Sequence, residues 1–365
     1  PMQYGTIVHY ILERFFGEYT KKEYLSLEED KFQKIVCAYL AEYAVKYFGE
    51  EQLESNSFTY RLKTILDNVM YLMKHIMEEL SQSEFFVADC ELKIGEDIPS
   101  YTIVLPDGHK IAVCGSVDRV DIMQRADVTY LRIIDYKTGT KQFKLSDILY
   151  GINLQMLLYL HSIEASGGDK YGEIVPAGIL YMPATVPYIS SDSLKSIDKL
   201  PDELNKKLKM NGLLLKDTEI IHGMDKTDVA TYIPVKIKAG EPVSSTSLAT
   251  LAEFGKIFKK VDMLIAEMGK NIYNGNIEAK PLKGGHDSCE YCPYDSVCAY
   301  RQSNPITCFS VDNKTVIEEI TNEINGKEEE KCQEIGLRNR RMQSMQQTVR
   351  CLYRLPPVRA KLPCL

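Results

Sequence analysis

Two short segments of the sequence carry acidic and basic side chains at spacings that suit chemistry on a phosphodiester. Asp118 lies in the first segment, 115–121, and Asp135 and Lys137 lie two residues apart in the second, 133–139. Because side chains alternate along a β-strand, Asp135 and Lys137 share one face of a sheet. If the two strands are neighbours, Asp118 and Asp135 can bracket Mg²⁺, which prefers oxygen ligands. Such an ion lowers the pKa of bound water and stabilises the charge of in-line attack, and Lys137 would orient or deprotonate that water.

The competing interpretation is a pair of surface strands with solvated charges, since an Asp-x-Lys tripeptide is common. The apolar setting favours the metal site. Ile133 and Ile134 directly precede Asp135, so this carboxylate ends an almost continuously apolar strand. A carboxylate in that position loses its water on burial and needs a partner such as a cation.

Two pairs of polar residues one helical turn apart are weaker candidates. His9 stands four residues before Glu13, and Gln155 stands four residues before Tyr159. Taken alone, the first pair is explained by an exposed i,i+4 contact, and the second by helix capping or core packing. Glu91 is a further acidic candidate near the metal, for which the sequence favours a structural role.

Three of the ten cysteines form a tight cluster with the spacing Cys289-x2-Cys292-x5-Cys298. A short loop with this spacing can bring three thiolates onto one metal centre. The residues alone leave two alternatives open, a zinc site that also uses His286 and three unligated thiols.

In their order along the chain, these motifs resemble the RecB-type branch of the PD-(D/E)XK nucleases, and in particular the nuclease domains of AddB-type (RexB-type) proteins in AddAB helicase-nucleases. Gly5–Glu13 is similar to the family's early helix with its active-site histidine. Gly115–Asp121 is similar to the G-x-[IV]-D-R-[IV]-D strand, and Ile134–Gly139 to the D-Y-K-T-G strand. Gln155–Tyr159 is similar to the Q-x-x-x-Y helix. The resemblance covers most of residues 5–300.

The resemblance implies a role for each matched position. The six residues that receive catalytic roles are His9, Asp118, Asp135, Lys137, Gln155 and Tyr159. Of these, His9, Asp118 and Asp135 would bind Mg²⁺, and Lys137 would activate water. The other two would close the site and position the strand.

The resemblance also implies a [4Fe–4S] cluster that stabilises the fold and supports DNA binding. Cys289, Cys292 and Cys298 are similar to the last three cluster cysteines of the family, whose first cysteine precedes the histidine motif. The sequence begins at Pro1, without an initiator methionine and only eight residues before His9. We therefore expect a fragment that lacks the N-terminal helicase-like part and holds the cluster poorly.

The function implied by the resemblance is that of a Mg²⁺-dependent DNA exonuclease domain in a cytoplasmic helicase-nuclease complex. It would act on single-stranded DNA or unwound duplex ends, with an AddA-type helicase as its protein partner. Its role would be in double-strand-break repair and homologous recombination. Two alternatives are a CRISPR-associated RecB-like nuclease and a non-catalytic DNA-binding module with a decayed nuclease fold. The intact Asp118, Asp135 and Lys137 argue against decay.

Hydrophobic periodicity predicts the elements that position these residues. The expected class is α/β, with a PD-(D/E)XK (restriction-endonuclease-like) core: a central mixed β-sheet flanked by helices, a helical N-terminal layer over 5–83 and a C-terminal iron-sulfur cysteine loop. The predicted strands cover 86–92, 101–105, 110–121, 128–136, 177–183 and 231–238. The predicted later helices cover 146–165, capped by Ser146, and 247–273. No clear pattern marks 190–223.

The composition fits a globular protein. The 365 residues carry a net charge of −7 and are 44% hydrophobic, which excludes a disordered or fibrous chain and does not indicate a nucleic-acid binder. No stretch approaches the length of a membrane span. We predict a nuclease domain over 1–310, a polar linker over 311–334 and a basic tail over 335–365.

The tail contains seven basic and no acidic residues, which by itself predicts a basic arm for DNA. Back-translated and read in a frame shifted by one base, the tail permits the segment A-A-A-G-S-G-K-T. That segment resembles the phosphate-binding loop near the start of AddA-type helicases. The second interpretation is therefore a frameshift product of the adjacent helicase gene.

Overall fold

A mixed six-stranded β-sheet forms the core of the protein in this computed structural model, which describes residues 2–139, 141–187, 189, 200–244, 246–298 and 305–327. From one edge to the other, the strands are β1 (Phe86–Ile94), β4 (Gly115–Arg125), β5 (Val128–Lys137), β6 (Glu173–Pro183), β7 (Asn211–Leu215) and β10 (Leu248–Ala249). The β5–β6 and β7–β10 pairs are parallel, and the other neighbouring pairs are antiparallel.

Short strands form two-stranded ladders outside this sheet. They are β2 (Tyr101–Val104) with β3 (Lys110–Val113), β8 (Lys236–Lys238) with β9 (Glu241–Val243), and β11 (Leu282–Gly284) with β12 (Ile306–Cys308). The predicted strand over 110–121 is thus two strands, β3 and β4, which are interrupted at Cys114.

Helices precede the sheet and connect its strands. The N-terminal helices are α1 (Met2–Glu18), α2 (Lys21–Leu25), α3 (Glu29–Phe48), α4 (Glu50–Leu53) and α5 (Asn56–Ser81). The later helices are α6 (Gln155–Ser166), α7 (Gly168–Tyr171), α8 (Leu200–Leu208), α9 (Thr218–Met224), α10 (Leu251–Tyr273) and α11 (Asp295–Cys298), with a 3₁₀ helix over Leu145–Tyr150 and a further helix over 313–327. This arrangement confirms the predicted α/β class and the helical N-terminal layer.

One apolar face of α1 is buried. Ile7, Val8, Ile11 and Phe15 are inaccessible to solvent, and their spacing of one, three and four residues forms a continuous helical stripe. α1 packs against β1 and α3. This packing holds the half-buried His9 next to the edge strand of the sheet.

The predicted helix over 146–165 is wrong in its first half. Leu145–Tyr150 is a 3₁₀ helix, and the α-helix begins only at Gln155. Gly151 ends the short helix in the left-handed conformation, with φ 68°, which glycine adopts at little steric cost. Ser146 is therefore buried inside the 3₁₀ helix and does not cap a long helix.

Two further boundaries differ from the prediction, and both shorten the element. The strand predicted over 231–238 is reduced to β8, because 231–234 form bends. α10 begins at Leu251 because Thr250 caps it, with Thr250 Oγ1 accepting from the Glu253 N–H at 3.3 Å and Glu253 Oε2 accepting from the Thr250 N–H at 2.7 Å. Such a capping box satisfies the first amide groups of a helix.

His161 fixes α6 against α10 and β2. Its Nε2 lies 3.3 Å from Asp262 Oδ2 and 3.2 Å from Tyr101 Oη. Burial lowers the pKa of His161, but the Asp262 and Glu164 carboxylates outweigh that effect and raise the pKa to about 9. The imidazolium is therefore charged at neutral pH and holds α6 in place.

Two arginines and two carboxylates form a completely buried ionic cluster on β4, β5 and α5. Arg119 donates to both oxygens of Asp121 at 2.8 Å and to Glu79 at 3.1 Å. Arg132 donates to Asp121 at 2.9 and 3.0 Å and to Glu79 at 2.6 Å. Each of the four side chains is 0% exposed. The two positive and two negative charges balance within the cluster.

The buried charges of this cluster are stabilised mainly by each other. Burial alone would raise the pKa of Asp121, but Arg119 and Arg132 outweigh it and hold the pKa below its usual value. Arg132 also lies over the Phe85 ring, 4.9 Å from its centroid, a favourable contact for a guanidinium. A cluster of this kind tolerates the loss of one partner badly, because the remaining charge stays buried without compensation.

The chain divides into two compact units, Pro1–Ile317 and Glu318–Leu365. The described residues of the second unit, 318–327, are helical. The basic tail predicted over 335–365 lies outside the described residues. Within the described part of the chain, none of the helices combines the length and the apolar character that crossing a membrane requires.

The substitution Arg119→Met tests the cluster. It leaves Asp121 and Glu79 with one guanidinium between them, so we expect the free energy of unfolding to fall by about 3–5 kcal/mol. Urea denaturation followed by circular dichroism measures the change. The matched control is Arg14→Met, which removes an exposed arginine paired with Glu18 and Glu42 and should have a much smaller effect. Equal destabilisation by the two substitutions would contradict the role given to the cluster.

Candidate active site

Strand register brings three acidic residues side by side at one end of the sheet. The pairs Cys90–Arg119 and Leu92–Val117 bracket Glu91 on β1 and Asp118 on β4, which are therefore opposite each other. Arg119 on β4 pairs with Ile134 on β5. In this antiparallel register the next residues, Asp118 on β4 and Asp135 on β5, are also opposite each other. The condition for a shared metal site, that the strands of Asp118 and Asp135 are neighbours, is met by β4 and β5.

His9 reaches this acidic row from α1. Its Nδ1 lies 2.9 Å from Glu91 Oε1, and its Nε2 lies 3.8 Å from Asp118 Oδ2. One ligand atom from each of these three residues lies within 4.8 Å of the other two. An imidazole nitrogen and two carboxylate oxygens at this separation are suited to a divalent cation.

Glu91 lies in the close group, although the sequence favoured a structural role for this candidate. Its carboxylate accepts a hydrogen bond from Ser116 Oγ at 2.9 Å and pairs with His9. Its backbone has φ 51°, which is unusual for a residue with a side chain. Strained backbone of this kind is often found at functional sites. Only the acidic character of Glu91, within a predicted strand, could have indicated it from the sequence.

The carboxylates of this row are electrostatically crowded. Burial, together with the negative charge of Asp135, raises the pKa of Asp118 to about 6. The hydrogen bond with Glu91 raises the pKa of His9, and the same bond lowers the pKa of Glu91. Nearby carboxylates contribute to both raised pKa values, that of Asp118 and that of His9, and a bound cation would offset this contribution.

Asp135 and Lys137 form the second half of the site. Asp135 is only 5% exposed, and its Oδ2 lies 2.5 Å from Lys137 Nζ. The same Oδ2 accepts no well-formed hydrogen bond, so this buried oxygen retains coordination capacity toward a cation. Asp135 does not belong to the close group of His9, Glu91 and Asp118, but it lies beside Asp118 in the sheet.

Tyr136 connects the site to the buried ionic cluster. Its backbone N–H donates to Asp118 Oδ2 at 2.9 Å, which orients that carboxylate. Its hydroxyl accepts a hydrogen bond from Arg119 Nη1 at 3.2 Å. The His9 ring meets the Tyr136 ring edge-on, with centroids 5.8 Å apart. Tyr136 therefore contacts both the candidate site and the buried ionic cluster. It stands between Asp135 and Lys137 in the sequence, and its side chain points to the opposite face of β5.

The two predicted residues of α6 have different environments. Gln155 is exposed at the first residue of the helix. Tyr159 is half-buried and packs on Gly115, the first residue of β4: a Cβ added to Gly115 would lie 2.3 Å from Tyr159 Oη. Tyr159 thus lies near the start of the strand that carries Asp118, and the glycine of the strand motif provides the space for it.

The three clustered cysteines differ in exposure. Cys289 and Cys292 are half-buried, and Cys298 is exposed. Among the described residues, the group of His9, Glu91 and Asp118 alone brings three ligand atoms of histidine, cysteine or acidic residues within 4.8 Å of one another. The three sulfurs therefore do not form a single-ion site of that size.

Comparison with known proteins relates this arrangement to a family. The PD-(D/E)XK nuclease superfamily matches residues 1–299. The chain is 34% identical over 312 residues to the B subunit of the ATP-dependent helicase/deoxyribonuclease of Thermoanaerobacter sp. (strain X514), covering 82% of this chain and 27% of the relative. The proteins of the same name from Alkaliphilus oremlandii (strain OhILAs) and Clostridium kluyveri (strain NBRC 12016) are 32% identical over 336 residues and 33% identical over 343 residues. These matches cover 87% and 89% of this chain and 29% of each relative.

The contact between Gly115 and Tyr159 can be tested by Gly115→Ala. The added methyl group would overlap the Tyr159 ring, so we expect the free energy of unfolding to fall by about 1–3 kcal/mol, as for other overpacked sites. Thermal or urea unfolding measures the loss. In the Tyr159→Ala background the overlap is absent, and Gly115→Ala should then cost much less. An equal cost in both backgrounds would show that the contact is not the cause.

Proposed function

The chain belongs to the PD-(D/E)XK nuclease superfamily, and from this premise we propose that it hydrolyses the phosphodiester bonds of DNA with a divalent metal ion. The observation that carries the proposal is the convergence of His9, Glu91 and Asp118 beside the Asp135–Lys137 pair. Two features support a cation in this place: the raised pKa of Asp118 and the buried Asp135 oxygen without a well-formed hydrogen bond.

His9, Glu91, Asp118 and Asp135 are the residues that would hold Mg²⁺. When bound, the ion lowers the pKa of a water molecule and offsets the charge that develops on the phosphate. The Tyr136 N–H fixes the direction of the Asp118 carboxylate through its 2.9 Å hydrogen bond.

Lys137 acts beside the ligands. Its ammonium group lies 2.5 Å from Asp135 Oδ2, so any water or phosphate oxygen near that carboxylate also lies within reach of a positive donor. Lys137 would orient the attacking water and donate a hydrogen bond to the phosphate. Tyr159, packed at the start of β4, would limit the space next to the site, and the exposed Gln155 is free to contact a strand.

The proposed partners follow from the relatives, whose names describe subunits of helicase/deoxyribonucleases. Because this chain spans less than a third of their length, the activity of the whole protein is part of the proposal. We infer that the chain acts as an exonuclease domain on single strands or unwound duplex ends, which an AddA-type helicase delivers in the cytoplasm during double-strand-break repair and recombination.

Cys289, Cys292 and Cys298 are proposed as three of the four ligands of a [4Fe–4S] cluster, because they resemble the last three cluster cysteines of AddB-type proteins. No step of the proposed reaction passes through a cluster. Its role would be to stabilise the C-terminal end of the nuclease domain.

The catalytic prediction concerns Asp135→Ala and Lys137→Ala. We expect each to reduce Mg²⁺-dependent cleavage of single-stranded DNA by at least about 100-fold, since each removes a group that acts on the reacting atoms. Cleavage of an end-labelled oligonucleotide measures the rate, and EDTA should abolish it in the unsubstituted protein.

The matched control is Asp127→Ala. Asp127 is exposed in the turn that joins β4 and β5 at the end opposite Asp118 and Asp135, so its removal should leave cleavage unchanged. Activity that persists in both active-site variants would reject the site, and a chain that never cleaves DNA would favour the decayed, non-catalytic alternative.

The cluster prediction is that this chain, after anaerobic reconstitution, binds iron and sulfide through Cys289, Cys292 and Cys298. Iron and sulfide analysis after desalting measures the content. Cys292→Ser should remove most of what is bound, while Cys37→Ser, on α3, should not. Stable loading of four iron atoms, unaffected by Cys292→Ser, would contradict the ligand assignment.

A further inference from the structure

A cleft of about 660 Å³ opens directly beside Lys137. One wall is formed by described residues at and after the end of β5, namely Lys137, Thr138, Gly139, Lys141 and Gln142. The opposite wall is formed by the last turn of α8, with Lys206 and Lys207, and by the start of β7. The region that gave no pattern in the sequence thus supplies half of the cleft.

The cleft is strongly basic. Five lysines line it, and the described lining residues include no carboxylate. The lysines are Lys137, Lys141, Lys206, Lys207 and Lys209. This concentration contrasts with the net charge of the chain, −7, and a concave surface lined by one sign of charge focuses its field on an approaching counter-charge.

The lysines differ in what their ammonium groups contact. Lys209 donates to the carbonyl oxygens of Ala230 and Val235 at 2.6 and 3.0 Å, and burial lowers its pKa. Lys209 therefore supports the wall. Lys141 donates to the neutral amide of Asn153 at 2.6 Å, so its charge is not compensated by that contact.

The two lysines of α8 are exposed at the mouth of the cleft. Lys206 pairs with Glu203 at 2.7 Å, one turn earlier on the same helix. Both groups of this pair are exposed to solvent, where ion pairs are weak. An incoming phosphate can therefore compete with the Glu203 carboxylate for the Lys206 ammonium group.

Asn211 ties the two walls together. Its side-chain carbonyl accepts from the Phe143 N–H at 2.7 Å, and its amide donates to the Lys141 carbonyl oxygen at 2.8 Å. This pair of bonds fixes the loop after β5 against β7. The cleft is therefore a built feature of the fold, with the Lys141 backbone fixed.

Tyr181 forms the floor of the cleft. It is buried, and its ring centroid lies 5.9 Å from Lys137 Nζ and 5.7 Å from Lys141 Nζ. The ring therefore holds the ammonium group of the active-site lysine and that of the cleft lysine on one surface. A polyanion that contacts Lys141 is thereby directed toward Lys137.

We propose that this cleft binds the phosphodiester backbone of a nucleic-acid strand next to the active site, with Lys141, Lys206 and Lys207 as the phosphate contacts. Phosphate contacts of this kind fix the register of a strand without reading its sequence. That the bound strand is the one cleaved rests on the proposed nuclease function, whereas binding does not.

The test compares Lys206→Ala/Lys207→Ala with the unsubstituted chain in binding a single-stranded DNA oligonucleotide in EDTA, where cleavage cannot occur. We expect affinity to fall about 5- to 10-fold for all sequences tried. The slope of log affinity against log salt should become shallower by about 1.4, which is about 0.7 for each of two lost contacts. The matched control is Lys31→Ala/Lys34→Ala, two exposed lysines of α3 outside the cleft, which should leave both quantities unchanged.

Three results would overturn the proposal. The first is unchanged affinity and salt slope in the α8 variant, and the second is an equal loss in the α3 control. The third is displacement of the oligonucleotide by inorganic phosphate at an equal concentration of phosphate groups, which would show that the cleft takes a free anion. Asp135→Ala separates this proposal from the proposed function: it should bind the oligonucleotide normally, and if it still cleaves, the catalytic assignment fails while the binding result stands.

Discussion

The buried pairing of Arg119 and Arg132 with Asp121 and Glu79 is the interaction on which the candidate site depends. It joins β4 and β5 to α5 in the centre of the protein. Arg119 follows Asp118 in sequence and also donates to the Tyr136 hydroxyl, while the Tyr136 N–H holds the Asp118 carboxylate. A shift of the Arg119 guanidinium would therefore move Asp118, a proposed metal ligand, in two ways. It would act along β4, where the two residues are adjacent, and through Tyr136, which contacts both.

Because side chains alternate along a strand, one face of β4 and β5 can carry balanced charges while the opposite face carries an excess of negative charge. Arg119 and Asp121 point to one face of β4, where positive and negative charges balance, and Asp118 lies on the other. There the negative charges are in excess and the pKa of Asp118 rises to about 6. The neutral cluster stabilises the strands whose opposite face carries the crowded carboxylates, and so holds these carboxylates in place.

The strand motifs predicted much of this arrangement, because register and alternation are local properties. They predicted that Lys137 shares a face with Asp135, and they made a metal site of Asp118 and Asp135 conditional on neighbouring strands. They gave Glu91 only as a weaker candidate near the metal, since its contacts depend on an unusual φ and on a histidine 82 residues away. The helix predicted over 146–165 also did not include the break before α6. Gly151 takes a left-handed conformation there, and the apolar periodicity on both sides of it gives no sign of the break. Tertiary context decided both outcomes.

The acidic composition of the chain is compatible with a polyanionic substrate because the charge is distributed unevenly. Net charge controls long-range steering, whereas binding depends on the local field within about one Debye length, roughly 8–10 Å at ordinary salt. Within that range Lys137 has Lys141 across the Tyr181 ring as well as the acidic row behind it. A strand would therefore meet positive charge in the cleft first and reach the carboxylates only where a cation reverses their sign. This order of charges makes an approach of the strand to the bare acidic row unfavourable, while the cleft itself binds the strand without the metal ion.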